Sequence, residues 1–140
     1  MNVFLDASAF TKRYVNEAGS DRVQEISLAA SSIGVCVICL TEVTSALCRL
    51  RREGFLSEQQ YNVCKQSLIQ DVQDASVIHI TNEIITRAVE LLERWPLRSS
   101  DALNIACAAE WGADLFASAD VRQCTAARAY GIDVEALAVS

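Results

Sequence analysis

Histidine is nearly absent from this chain: His79 is the only one, which argues against the imidazole-rich sites that hold zinc or non-haem iron. Proline is as scarce, with Pro96 alone, and five glycines are scattered over 140 residues. No linker, repeat or low-complexity tract is therefore expected, and residues 1–140 read as one domain burying roughly two-thirds of its unfolded surface. No run of about 20 apolar residues offers a membrane span. The N-terminus also lacks a basic region followed by a long apolar stretch and a cleavage site, so a cytoplasmic protein without membrane contact is expected. Cysteine is not scarce, with six, but only Cys36-Val37-Ile38-Cys39 has metal-ligand or redox spacing and no second such pair exists. Lying within a strand-like apolar run, that pair reads as structural, like the other thiols among apolar neighbours.

What the chain has is acid. The net charge of −6 comes from 18 acids against 12 bases, an unpromising balance for a partner rich in phosphate. Four of the acids stand apart. Asp6 closes the run Val3-Phe4-Leu5, Glu42 follows Val35-Cys36-Val37-Ile38, Asp101 opens Asp101-Ala102-Leu103-Asn104-Ile105-Ala106, and Asp120 lies just past Leu115-Phe116-Ala117. The 18 acids less these four leave 14 against 12, close to balance.

Periodicity places them. Short apolar strands are expected at Val3–Leu5, Ile33–Ile38, Ser76–Ile80, Leu115–Ala117 and Ile132–Val134. Helical patterns occupy 8–15, 20–30, 57–74, 82–94 and 121–130. A further helix capped by Thr41 runs to Gly54, and one opened by Ser99-Ser100 ends at Gly112. Strands alternating with helices imply a three-layer α/β/α sandwich around a central parallel sheet, Rossmann-like in plan. In such sheets ligands bind beyond the carboxyl ends of the strands. Asp6, Glu42 and Asp120 would project there, and Asp101 would join them from a helix N-terminus, which favours a carboxylate.

Taken singly, each acid reads as a helix cap. Together they pose a problem of charge: two carboxylates about 5 Å apart repel by roughly 3 kcal/mol at an effective dielectric near 20. A raised pKa or a hard cation resolves it. All-oxygen ligands suit Mg²⁺ or Mn²⁺, and Mg²⁺ commonly shares its coordination sphere with substrate phosphates, so phosphodiester hydrolysis is the default chemistry. A phosphoacceptor receiver domain would need an early acidic pair and a late lysine, yet the only lysines are Lys12 and Lys65. A haloacid-dehalogenase-like phosphatase would need an Asp two residues after Asp6, where Ser8 stands.

Leu5-Asp6-Ala7-Ser8-Ala9, Thr41-Glu42-Val43, Ser100-Asp101-Ala102-Leu103 and Ser118-Ala119-Asp120-Val121-Arg122 together resemble the ordered motifs of PIN-domain ribonucleases. The likeness is strongest to the VapC-like toxins of toxin-antitoxin pairs, and it extends to Ala126-Ala127 and Gly131. It implies an endoribonuclease dependent on Mg²⁺ or Mn²⁺, with Asp6, Glu42, Asp101 and Asp120 as metal ligands. Ser8 and Ser118 would orient carboxylates or waters by hydrogen bonds. Two departures stand out: Asn104 where many relatives carry His, and Ser118 in place of the more frequent Thr.

For RNA, Lys12, Arg13 and Arg122 are the favoured contacts, with Arg98 also near the acids; Arg49, Arg51 and Arg52 read more readily as a solvated helix face. Phe10, Tyr14, Trp95 and Trp111 read as packing residues rather than base-stacking ones, and His79 as structural. The resemblance also implies a homodimer and a cognate antitoxin, whose docking surface is expected on the helices over 18–30 and 41–54. A non-catalytic PIN-like module that binds RNA or protein stands as the alternative.

Overall fold

A computed structural model describes residues 1–139. Its elements run β1 (Asn2–Leu5), α1 (Ala7–Thr11), α2 (Ser20–Ala29), β2 (Ser32–Cys36), α3 (Cys39–Arg52) and α4 (Glu58–Asp74). They continue through β3 (Ser76–Ile78), α5 (Asn82–Arg94), α6 (Ser99–Trp111), β4 (Leu115–Ser118), α7 (Val121–Ala129) and β5 (Val134–Ala136). All strand pairs are parallel, in the order β3-β2-β1-β4-β5. Strand β1 is central, and the order reverses between β1 and β4, which opens a crevice at their carboxyl ends.

The side-chain alternation of the strands separates two cores. Val3, Leu5, Val35 and Ala117 face one way and pack with Phe10, Val23, Val43 and Leu68 of α1 to α4. Phe4, Cys36 and Phe116 face the other and pack with Ile84, Leu91, Ile105 and Ala126 of α5 to α7. Phe4 and Phe116 are register partners with near-parallel rings 5.7 Å apart. This is the expected three-layer α/β/α sandwich. Gly34 lets Trp111 lie against the sheet, since a Cβ there would meet the indole at 2.6 Å. No helix of the described residues is long and apolar enough to cross a membrane.

Several boundaries differ from the sequence expectation, each for a local reason. Helix α1 stops at Thr11 instead of reaching Val15, because the N–H groups of Lys12, Arg13 and Tyr14 bond three residues back in tight turns. Strand β2 ends at Cys36, and α3 begins at Cys39 rather than being capped by Thr41; the Thr41 hydroxyl instead donates to the Ile38 carbonyl at 2.9 Å. Cys36 and Cys39 therefore do not share a strand. They lie in different cores, with Cys36 Sγ 3.5 Å from Cys107 Sγ. All six thiols are free, and burial raises the Cys39 pKa, as befits packing residues. Strand β3 ends at Ile78, where its pairing with Cys36 ends, leaving His79 exposed beyond it. Strand β5 is two residues later than expected, because the Ile132 N–H donates to the Ala127 carbonyl at the end of α7.

Candidate metal centre

The four acids occupy the first turns, or the caps, of four helices. Asp6 caps α1 directly after β1, and Asp120 caps α7 just after β4. Glu42 lies in the first turn of α3 and Asp101 in that of α6. Each carboxylate thus has a helix N-terminus of its own to favour its charge.

Asp6 is 1 % exposed and amply bonded. Its Oδ1 accepts from the Ser8 hydroxyl at 2.7 Å and the Ala9 N–H at 2.9 Å, and its Oδ2 from the Ser118 hydroxyl at 2.6 Å. Ser118 Oγ in turn accepts from the Asp120 N–H at 3.0 Å, and Ser8 Oγ from the Ala119 N–H at 3.0 Å. The β1–β4 register, which sets Leu5 opposite Ala117, brings these groups together across the strands. Burial raises the Asp6 pKa above its ordinary 3.8; the two hydroxyls and the Ala9 amide oppose the rise, and Asp120 adds to it.

Asp101, also 1 % exposed, is held by longer side chains. Oδ2 accepts from the Arg98 N–H at 2.9 Å and Arg98 Nε at 3.3 Å; Oδ1 accepts from Arg98 Nη2 at 3.3 Å and Gln123 Nε2 at 2.9 Å. Arg98 Nη2 also stands 3.7 Å from Asp120 Oδ2. Bonding to Asp101 is the largest cause of a raised Arg98 pKa, and the charges of Asp120 and Glu42 add to it. Glu42 is half-buried and accepts from Asn104 Nδ2 at 3.2 Å. Burial pushes its pKa above the ordinary 4.5, the Asn104 bond lowers it, and the charges of Asp6 and Asp101 raise it further. The four acids thus form one electrostatic cluster, with Arg98 the cation across it.

Two buried acceptors at this cluster have no donor: Asn104 Oδ1 and Gln123 Oε1. An unsatisfied buried acceptor costs about 1–3 kcal/mol. Among the described residues, no three Asp, Glu, His or Cys side chains are grouped as one ion would need for direct ligation. The donor chemistry nevertheless fits a hard, hydrated divalent cation. The acids offer only oxygen, the one imidazole is exposed beyond β3, and two buried amide oxygens beside the acids lack a donor.

The remaining sequence candidates divide. Arg122 is exposed in the first turn of α7 beside Asp120. Lys12 and Arg13, expected as RNA contacts, are both engaged within the chain. Lys12 is 5 % exposed, its ammonium bonded to Glu17 at 3.0 Å and to the Ala18 carbonyl at 2.7 Å. Arg13 pairs with Asp71 at 3.7 Å and lines a cleft with Ser32 and Ser76, which begin β2 and β3 at the sheet edge opposite the acids. Arg51 lies 4.1 Å from the centroid of the Tyr61 ring and pairs with Glu58, as a surface helix face does. Phe10 is in the core, Tyr14 donates to Asp71, and Trp95 and Trp111 pack on the second core. Gln123 was not legible as a site residue: its only sequence signal is a polar side chain among the core positions of α7.

The PIN domain family model matches residues 3–129. No curated protein sequence matches the chain. Among solved structures, the chain resembles VapC20 of Mycobacterium tuberculosis, described as a sarcin-ricin loop cleaving toxin, with 17% identity, TM-score 0.68, and coverage of 93% of this chain and 95% of that one. A toxin-antitoxin complex from Klebsiella pneumoniae aligns at 14% identity and TM-score 0.67 over 87% of this chain and 89% of that one. VapBC2 from Rickettsia felis, bound to a DNA fragment from its promoter, aligns at 15% identity and TM-score 0.67 over 97% and 98% respectively.

Proposed function

Because this chain belongs to the PIN domain family, we propose that it is a metal-dependent endoribonuclease and the toxin of a toxin-antitoxin pair, acting in the cytoplasm. The observation that carries the reading is the convergence of Asp6, Glu42, Asp101 and Asp120, from four helix N-termini, at the crevice where the strand order reverses. Asp6, Glu42, Asp101 and Asp120 are the residues that would hold Mg²⁺ or Mn²⁺. A bound cation of this kind activates water for attack and stabilises charge on a phosphodiester.

The chain's own residues do the rest. Ser8 and Ser118 fix both oxygens of Asp6, so its orientation is set before any ligand arrives. Arg122, exposed beside Asp120, is placed to meet backbone phosphates at the rim. Arg98 neutralises part of the cluster, and with its side chain largely exposed it would be placed to pair with a substrate phosphate. An antitoxin partner is supported by the toxin-antitoxin assemblies among the similar structures; the helices α2 and α3 are its proposed docking surface, and a homodimer the proposed assembly.

One observation favours the second reading, a non-catalytic module that binds RNA or protein: Arg98 already bridges Asp101 and Asp120. Incubating the purified protein with a mixed pool of structured and unstructured RNAs separates the two. The nuclease cuts with Mg²⁺ or Mn²⁺, stops with chelator, and stops in Asp101→Asn. Folded, antitoxin-free protein that cuts nothing under either metal would overturn the enzymatic reading.

A further inference from the structure

The two orphaned oxygens belong to two amides used in the same way. Gln123, 5 % exposed, donates through Nε2 to Asp101 Oδ1. Asn104, 1 % exposed, donates through Nδ2 to Glu42 Oε1 and to the Ser100 carbonyl at 2.9 Å. Their orientation is not arbitrary. A carboxylate and a carbonyl only accept, so each amide must turn its NH₂ toward them, and Oε1 and Oδ1 are left as the ends without a donor. Flipping either amide would set oxygen against oxygen and strand the NH₂ group. Each amide therefore grips one acid of the cluster and holds a vacant acceptor beside it.

A hydrated Mg²⁺ supplies what is missing. It gives up its waters reluctantly, and coordinated waters are strong hydrogen donors without acceptor capacity to offer. We propose that Asn104 and Gln123 are positioning residues that orient Glu42 and Asp101 and accept hydrogen bonds from the waters of a bound divalent cation. This rests on the metal-dependent reading above. It gives a definite role to Asn104, which stands where the resemblance leads one to expect histidine, since an imidazole too can donate from one nitrogen and accept at the other.

The test is calorimetric titration of the metal-free protein with Mg²⁺, followed by competition with hexaamminecobalt(III), whose ammine shell imitates coordinated water but does not exchange. Mg²⁺ should bind the wild type and be displaced by the cobalt complex. Gln123→Met and Asn104→Leu should each weaken both ions by about tenfold, and Asn104→His should restore Mg²⁺ affinity. Thermal melting of the metal-free variants should stay close to that of the wild type, since each loses an unsatisfied acceptor together with a donor to its carboxylate, and the two losses oppose each other. Mg²⁺ affinity unchanged in both variants would overturn the proposal, as would a loss matched by lower metal-free melting, or a cobalt complex that never competes. A wild type that binds no Mg²⁺ would overturn the metal-dependent reading as well.

Discussion

The two sides of the carboxylate cluster are built differently. On the β1–β4 side, Asp6 is held by two serine hydroxyls and a backbone amide, all short and close to their own strand ends. On the α3–α6 side, Asp101 and Glu42 depend on long side chains, Arg98, Gln123 and Asn104, and two amide oxygens there have no donor. One side is complete without a ligand. The other leaves two acceptors unpaired. The difference shows two ways of holding buried charge: one acid saturated by short side chains at the strand ends, and two held by long side chains that leave acceptors unpaired.

The largest break in this contrast should come from removing an acid. Asp101→Asn should reduce cleavage more than about a hundredfold, beyond the 10–100-fold loss typical of outer-shell partners; rates within tenfold of the wild type would exclude Asp101 as a ligand. Ser118→Ala attacks the saturated side. With Ser118 fully buried, Asp6 loses a hydroxyl donor and the Asp120 N–H loses an acceptor, so denaturant unfolding should show about 1–3 kcal/mol of destabilisation even without metal. The Gln123 and Asn104 variants should leave metal-free stability intact, and the same loss in all three proteins would erase the contrast.

Arg98→Ala sharpens the comparison by a change of opposite sign. Its side chain is 69 % exposed, so its ion pairs are screened, and Mg²⁺ affinity should rise by no more than about fivefold, as for an exposed salt bridge. Cleavage should fall at the same time if the guanidinium meets phosphate; weaker metal binding would assign Arg98 to holding the site together. The smallest effect is in pH. Asp6 and Glu42 bind their protons more tightly folded than unfolded, so that contribution is complete below their ordinary values of 3.8 and 4.5 and is lost as pH climbs through the raised values. Metal-free melting temperature should therefore decline with rising pH more steeply in the wild type than in Asp6→Asn, and saturating Mg²⁺ should flatten the difference. Parallel profiles would dismiss Asp6 as the source.

Much of the fold was readable because its signals are local. Ser57 and Gln60 form the capping box that starts α4, Gly112 in its left-handed conformation ends α6, and apolar spacing marks α5. The misplaced boundaries at α1 and β5 arise where a backbone N–H finds a partner that periodicity does not encode, and that at β2 where α3 begins at Cys39. The four acids were readable for the same local reason, each standing at a helix start. The partners of Lys12 and Arg13 could not be read from nearness along the chain to Asp6, because they follow from the turn after Thr11. Gln123 gave no warning, since a buried glutamine looks like any polar interruption of a helix until its partner, 22 residues away in sequence, is in place.

Composition and pattern alone settled the class of this protein: alternating strands and helices, oxygen donors in place of imidazoles, and four acids at the starts of helices. Only the tertiary structure decided the strand order that sets β1 beside β4, the register that puts Ser118 on Asp6, and the amides that face Asp101 and Glu42 with an oxygen to spare. The division has a physical cause. Helix starts and apolar periodicity are written within a few residues, whereas the partner of a buried carboxylate is chosen by which elements pack together.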